Sequence, residues 1–416
     1  MSCNLNLQRD SKIFYSTVDI DSGAAVTAMT PSNTWEVEIL AGYAVSQSAT
    51  TQDITTLESG LTPDRSVKRY NTAFNPAEWN FQCYLRPTNA EDGTDVSSTG
   101  NVKPVADWFM WQAALNNTAP ASGTAERSAW QDTAKYTTAL RAASANTSSH
   151  NPNFAVAQEN HLYIKMDNVF YQIANAAINE ASVDAAIDSI ATTTWSGFGT
   201  DLIELTGVKR NNAVSVFGGV LNDGTSVSAN GNVANLSNAA SFHSWSSYNV
   251  AGSITTSRFI KNRLSTVELH HTPEGGADVS YTFPVTSLSW TINNNITYLT
   301  PEELNTLNVP IGNFAGSRTV TGSLSAYLRH GDNESARFLR EIVNDSRVSH
   351  SSGANANLKV GGATGPYVAF YHPSVQYDFP THAIEDVISI QVAFQAQEPE
   401  ASCGNGGEFD IYVDHG

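Results

Sequence analysis

From Trp79 to Leu85 the chain alternates. Trp79, Phe81, Cys83 and Leu85 are apolar, and Asn80, Gln82 and Tyr84 stand between them. This period of two predicts a strand with one face buried. The same phase returns at Gly322, Leu324, Ala326 and Leu328, interleaved with Ser323, Ser325 and Tyr327. Both runs end on Tyr-Leu-Arg, at 84–86 and 327–329. A slip of one residue would turn every side chain to the other face, so agreement in phase weighs more than agreement in letters.

After each strand the period lengthens. Val105, Trp108, Phe109, Trp111 and Leu115 recur at helical spacing behind Pro104, with Asp107 near the end that favours an acid. Phe338, Leu339, Ile342 and Val343 follow Asn333, which can cap that helix. Two further echoes keep the order. Tyr15-Ser16-Thr17-Val18 returns as Leu264-Ser265-Thr266-Val267, and Ile187-Asp188-Ser189-Ile190 as Ile384-Glu385-Asp386-Val387. Each half opens on a hairpin, turning around Asp19–Gly23 and around His270–Asp278. Each then carries a long loop. The first, about Ala49 to Tyr70, holds Asp64, Arg65, Lys68 and Arg69; the second, about Tyr298 to Ser317, holds Glu302 and Glu303. A long loop kept in both copies points to function.

The pattern predicts a mainly β protein with a few helices (α+β), built as two tandem β-sandwich or barrel modules from an internal duplication. The first spans 1–206, with an insertion at about 116–154. A polar linker or insertion covers 207–257, the second module 258–400, and an acidic C-terminal segment 401–416. The sequence leaves open whether the two insertions are ordered decoration or loop, and whether the last segment is an edge strand or a tail.

Bulk numbers narrow the function. At 416 residues each module can bury its own core. Only 15% of residues are charged, yet the net charge is −18. That argues against a protein that wraps DNA with basic patches. It leaves two readings: solubility, or a surface that must not stick to a polyanion. From Gly361 onward there is no Lys or Arg but there are eight acids. Cys3, Cys83 and Cys403 are odd in number and widely spaced, so neither a disulfide framework nor a metal site is expected, and Cys83 reads as a buried free thiol. No basic-then-apolar leader and no apolar run of membrane-spanning length occurs, so no membrane contact is expected.

Catalytic signatures are missing. There is no phosphate loop, nucleophile elbow, Cys-x-x-Cys or His-Glu-x-x-His. His270 and His271, near Glu268 and Glu274, would point to opposite faces of a strand and cannot readily chelate together. Asn293-Asn294-Asn295 reads as a turn or bulge before it reads as an active-site cluster. Trp79, Trp108, Trp111, Trp195 and Trp290 offer a sugar platform only if exposed, and most fall on apolar faces. The chain is therefore read as no enzyme, with no cofactor and no metal.

Three consecutive stretches carry a resemblance: Trp290–Pro301, Val309–Gly316 and Val320–Arg329. Arg65–Asn71, Ala77–Phe81, Trp195–Gly199 and Phe259–Leu264 fit in the same order. Together they resemble the major tail tube proteins of siphophages related to coliphage T5, over roughly Ser11 to Gln397. The resemblance implies two tail-tube-type modules in one chain, three chains per pseudo-hexameric ring, and rings stacked into a long non-contractile tube that conducts DNA. It implies self-association, contact with the tape measure, tail terminator and distal tail proteins, and transient, non-specific passage of double-stranded DNA. It also implies a place in the virion tail after assembly in the host cytoplasm. Under this reading Asp64, Arg65, Lys68, Arg69, Glu302 and Glu303 are candidates for contacts between rings. An acidic lumen would repel DNA, although the sequence does not say which residues face it. The alternative is a β-sandwich adhesin or carbohydrate-binding module.

Overall fold

The computed structural model describes residues 11–17, 19, 34–54, 68–86, 107–114, 138–143, 160–166, 169–204, 219–220, 226–227, 260–271, 279–301, 308–345, 354–362, 367–383, 387–397 and 406–414. The first half holds β1 (Ser11–Ser16), β2 (Thr34–Val37), β3 (Ala44–Ser46), β4 (Ala49–Ile54), β5 (Lys68–Phe74), β6 (Ala77–Tyr84), helix α1 (Trp108–Ala114), β7 (Thr138–Ala143), β8 (Asn160–Met166), β9 (Val169–Ala186), β10 (Thr192–Gly199) and β11 (Asp201–Glu204). A two-strand ribbon follows, β12 (Gly219–Val220) and β13 (Ser226–Val227), and then a 3-10 turn at Asn262–Leu264. The second half holds β14 (Thr266–His271), β15 (Val279–Phe283), β16 (Val285–Asn293), β17 (Ile296–Leu299), β18 (Gly312–Ala315), β19 (Thr319–Tyr327), helix α2 (Ser335–Asp345), β20 (Asn355–Gly361), β21 (Tyr367–His372), β22 (Val375–Tyr377), β23 (Thr381–Ala383), β24 (Ser389–Ala396) and β25 (Gly406–Asp414).

The pairings of the two halves run in parallel. In the first half β1 lies between β2 and β8, β8 meets β9, and β9 meets β11. In the second β14 lies between β15 and β20, β20 meets β21, and β21 meets β25. The other layer repeats as well: β3-β6-β10-β9 on one side, β16-β19-β24 with β22 and β23 on the other. The hairpin β4–β5 corresponds to β17–β18.

Shared backbone bonds fix the register. Leu85 N–H donates to Ala191 O, and Leu328 N–H to Ile388 O. The Tyr-Leu-Arg echo is therefore in structural phase; in the Ile187/Ile384 echo, residues 384–386 lie outside the described residues. The Tyr15/Leu264 echo is not in phase. Tyr15 faces Leu162, which precedes β9, and its positional counterpart is Leu269, facing Ala356. Matching letters there lie five residues from matching positions.

The layers pack face to face. Trp290 of β16 stacks on Phe370 of β21 with ring centroids 4.4 Å apart, and Phe409 of β25 meets the same indole edge-on at 5.0 Å. Between the halves sits α1. Its Trp111 touches Trp195 of the first half at 4.7 Å and Trp290 of the second at 5.8 Å. Such ring pairs contribute about 0.5–1.5 kcal/mol each beyond burial. One continuous core thus runs through both halves. Asp107 does more than favour a helix N-terminus. Its carboxylate is buried and accepts the indole N–H of Trp111 (3.2 Å) and of Trp195 (2.9 Å). Burial pushes its pKa up to about 6, against those two hydrogen bonds.

Other departures from the sequence reading are local. The first bonds of α2 are accepted by Glu334 O, not arranged by Asn333, and Ser335 Oγ ties the helix start to Tyr327 O at 2.8 Å. β7, from the first-half insertion, pairs with β25 of the second half, so the acidic C-terminal segment becomes a strand flanked on both sides. Cys83 is a buried free thiol, its pKa held well above the usual range by burial and then by the Asp107 charge.

One strand joins the layers. β9 pairs with β8 and β11 in its first part and with β10 and β16 in its second. Between them Asn175 takes φ 48°, a left-handed conformation that a short amide side chain tolerates. The bend turns the strand from one sheet into the other.

Candidate functional site

β9 also pairs with β16 of the second half, from Ser287 opposite Ala186 to Asn293 opposite Glu180. This join fuses these layers into a single sheet ordered β3-β6-β10-β9-β16-β19-β24, ending on the far side at β22 and β23. One face of it is core: Trp79, Phe81, Trp195, Val183, Trp290, Leu324 and Val392 all point inward and are buried. The other face is polar, as alternation requires.

That polar face reads in rows across the strands. One row runs Gln82, Thr194, Ser182, Thr291, Thr321, Gln395, Gln376, with no charge in it. The next runs Tyr84, Thr192, Asp184, Ser289, Ser323, Ala393. On the other side lie Asn80, Ser196, Glu180, Asn293 and Thr319. The hydroxyls and amides bond one another: Thr291 Oγ1 donates to Ser182 Oγ at 3.1 Å, Ser289 and Ser323 share a bond of 3.1 Å, and Gln82 donates to Thr192 Oγ1 at 3.1 Å. No lysine or arginine occurs in these strands, and their acids are Glu78, Glu180 and Asp184. The acid excess of the chain is therefore not concentrated here. What marks this surface is the absence of cations. Period-two reading could have found it, because the polar positions of each strand are visible in the sequence.

The asparagine triplet is the clasp of the join. Asn294 is buried; its amide N–H groups donate to Ala114 O at the end of α1 and to Ile178 O of β9, both at 3.0 Å. Its Oδ1 accepts from Arg318 Nε at 3.2 Å. Asn295 takes φ 49°, and its side chain reaches Ser317 O. Asn293 Oδ1 accepts the Asn295 N–H at 2.8 Å. Asn294→Ala leaves two buried carbonyls and a guanidinium short of a partner. We expect a loss of about 2–4 kcal/mol, read as a lower urea midpoint with unchanged far-UV circular dichroism.

At the other end of the join, Arg263 pairs with Asp188 at 2.6 Å, and Asn262 donates to Ala186 O at 3.0 Å. Tyr298 of β17 reaches back over the first half, donating to Asn175 O at 2.6 Å, at the bend of β9.

The residues singled out in the sequence distribute as follows. Lys68 and Arg69 lie on β5, and Arg69 pairs with Asp53 across the exposed β4–β5 hairpin at 2.6 Å. Asp64, Arg65, Glu302 and Glu303 lie outside the described residues. The two hairpin arms touch within the chain, since Phe74 N–H donates to Asn308 O at 2.8 Å. Large apolar side chains are exposed on the second arm (Leu299, Val309, Ile311) and at the free end of the sheet (Phe379, Val387, Ile388). Trp79, Trp111, Trp195 and Trp290 are buried and form no sugar platform; the Trp108 side chain is outside the description. Glu268 lies 3.2 Å from His270 on one side of β14 while His271 is buried on the other. Among the described residues no group of three potential ligands could hold a metal.

No family model matches the chain. It is 27% identical to the tail tube protein pb6 of Escherichia phage T5 over 419 residues, covering 97% of this chain and 75% of that protein. That likeness runs through both halves and their join, and the β-rich architecture agrees with it. The chain is a T5-like tail tube protein, a structural component of a phage tail.

Proposed function

We propose that three copies of the chain close into a ring with pseudo-sixfold symmetry, and that stacked rings form a non-contractile tube through which double-stranded DNA passes. One observation carries this reading: this sheet already joins two equivalent modules edge to edge through β9 and β16, and among the described strands it ends at β3 on one side and at β22 and β23 on the other. Open edges of this kind are paired or covered in stable proteins. Repeating the internal join around an axis pairs them all and encloses a channel. The two modules, 1–206 and 258–400, would descend from one duplicated unit.

The polar face would line the channel. A wall that offers no cation binds no phosphate, so DNA slides instead of adhering. Repulsion by the three acids adds to this, but the missing cations matter more than acid density. The hairpin arms, with Lys68, Arg69 and the apolar Leu299, Val309 and Ile311, would meet the next ring. Asp64, Arg65, Glu302 and Glu303 are proposed contacts there too. Exposed ion pairs add little, so apolar area on the arms would supply most of the stacking energy. The tape measure, tail terminator and distal tail proteins would contact the tube interior and ends. The role is structural and not catalytic, with assembly in the host cytoplasm before incorporation into the virion.

Negative-stain microscopy with mass measurement tests the reading. Rings or tubes of trimeric repeat are expected, and a persistent monomer at high concentration sinks it. Lys68→Ala with Arg69→Ala should leave ring formation and thermal midpoint unchanged and shorten the tubes less than Leu299→Ser with Ile311→Ser does.

A further inference from the structure

The join inside the chain specifies the seam between chains residue by residue. Pairing fixes the correspondence along β9. Asp184 faces Thr192, as Ala383 faces Ser389; Ser182 faces Thr194, as Thr381 faces Gln391; Ile178 faces Gly197, as Tyr377 faces Phe394. The stretch Ile178–Asp184 therefore maps onto Tyr377–Ala383. On the other side Trp290 faces Gly322 as Val45 faces Trp79, which maps Ser289–Asn293 onto Ala44–Ser48. In the internal join Thr291 lies opposite Ser182, and their hydroxyls are bonded at 3.1 Å.

We propose that in the ring Ser46 of one chain lies opposite Thr381 of the next, with Val45 opposite His382 and Ala44 opposite Ala383, antiparallel and on the same faces as their internal counterparts. This rests on the ring reading and goes beyond it by fixing partner, direction and register. Exposure agrees: Ala44, Ser46, Thr381 and His382 are exposed in the single chain, and Phe379, 63% exposed, falls at the same seam. The sequence repeats the flanking charges as well. Arg9 stands four residues before Ile13, as Arg263 stands before Val267; Glu385 stands four before Ser389, as Asp188 stands before Thr192. The seam is not a full copy. The positions of Asn293-Asn294-Asn295 are held by Ser48-Ala49-Thr50, and the strand opposite is interrupted by Asp378-Phe379-Pro380 between β22 and β23. It lacks the asparagine clasp, so it is the weaker of the two seams and opens first.

Paired cysteines decide the register. Ser46→Cys with Thr381→Cys, oxidised in assembled rings, should give dimer and trimer bands on a non-reducing gel. Ser182→Cys with Thr291→Cys should cross-link within one chain and supply the reference yield. Ser46→Cys with His382→Cys places the second thiol on the opposite face and should yield at least tenfold less. Rings that form normally but show no Ser46–Thr381 band, or show equal bands for the opposite-face pair, overturn the register and leave the ring reading standing. A preparation without rings sinks both.

Discussion

Gly197→Ala should be among the most damaging single-methyl changes in the chain, costing about 3 kcal/mol or more in urea unfolding followed by tryptophan fluorescence. An added Cβ there would lie 2.1 Å from Ala177 O and 2.5 Å from the Trp79 ring. Backbone cannot step aside cheaply inside a paired strand. Gly322 occupies the facing role in the second half, where a Cβ would lie 2.3 Å from the Phe394 ring and meets no backbone as close. Gly322→Ala should cost about 1–3 kcal/mol, within the usual range for overpacking. The two also differ in how they can be rescued. Phe394→Leu should recover most of the stability lost in Gly322→Ala, because it removes the whole obstruction. Trp79→Leu should recover little in Gly197→Ala, because the Ala177 carbonyl remains. Equal rescue at both sites would contradict the account.

Acidification should destabilise the chain in part through His372, alongside the depressed His161 and Glu268, and His372→Ile should blunt the effect. The imidazole is fully buried among Trp290, Phe394 and Phe409, with centroids 6.1, 5.3 and 6.0 Å away. Burial pushes its pKa down to about 3, partly offset by the Glu408 backbone. The unfolded chain takes up a proton below pH 6.5, and the native chain does not until about pH 3. Stability from this group is complete above pH 6.5 and is lost as pH falls through that window, by roughly 5 kcal/mol in all. Asp107 works in the opposite sense. Its folded pKa of about 6 lies above the ordinary 3.8, so its contribution is full at low pH and is lost as pH rises through 6. The two partly cancel between pH 6 and 4, and the net loss concentrates below pH 4. The isoleucine variant copies the residue found at the matching place, Ile173. Its stability relative to the parent should grow steadily from pH 6.5 to 3. A pH-independent difference would show that His372 does not titrate on unfolding.

The strands were legible because their periods are clean. β6 and β19 bury alternate residues throughout, and Tyr84 and Tyr327 mark the same place at their ends. The join of β9 with β16 was not legible. It pairs residues about a hundred positions apart, and nothing local in either strand records the partner. The passage of β9 between sheets was hidden too, since a single asparagine with positive φ does the work that glycine or proline usually announces. Asp107 was placed correctly near a helix start, but its role as acceptor for two indoles depends on Trp195, far away in sequence. Of the arm residues, Lys68 and Arg69 sit on the exposed strand β5, paired with β4, where the sequence reading had only a long loop.

The exchange of large and small residues between the halves also bears on misassembly. In the first half the aromatic stands on β6 and the glycine on β10; in the second the glycine stands on β19 and the aromatic on β24. Two similar modules in one chain invite strands to fold into the wrong copy. If β24 docked beside β6, Trp79 and Phe394 would compete for one space. If β10 docked beside β19, two glycines would face each other over a void. Both mistaken products are penalised, one by collision and one by emptiness, so each nascent half is directed back to its own partner.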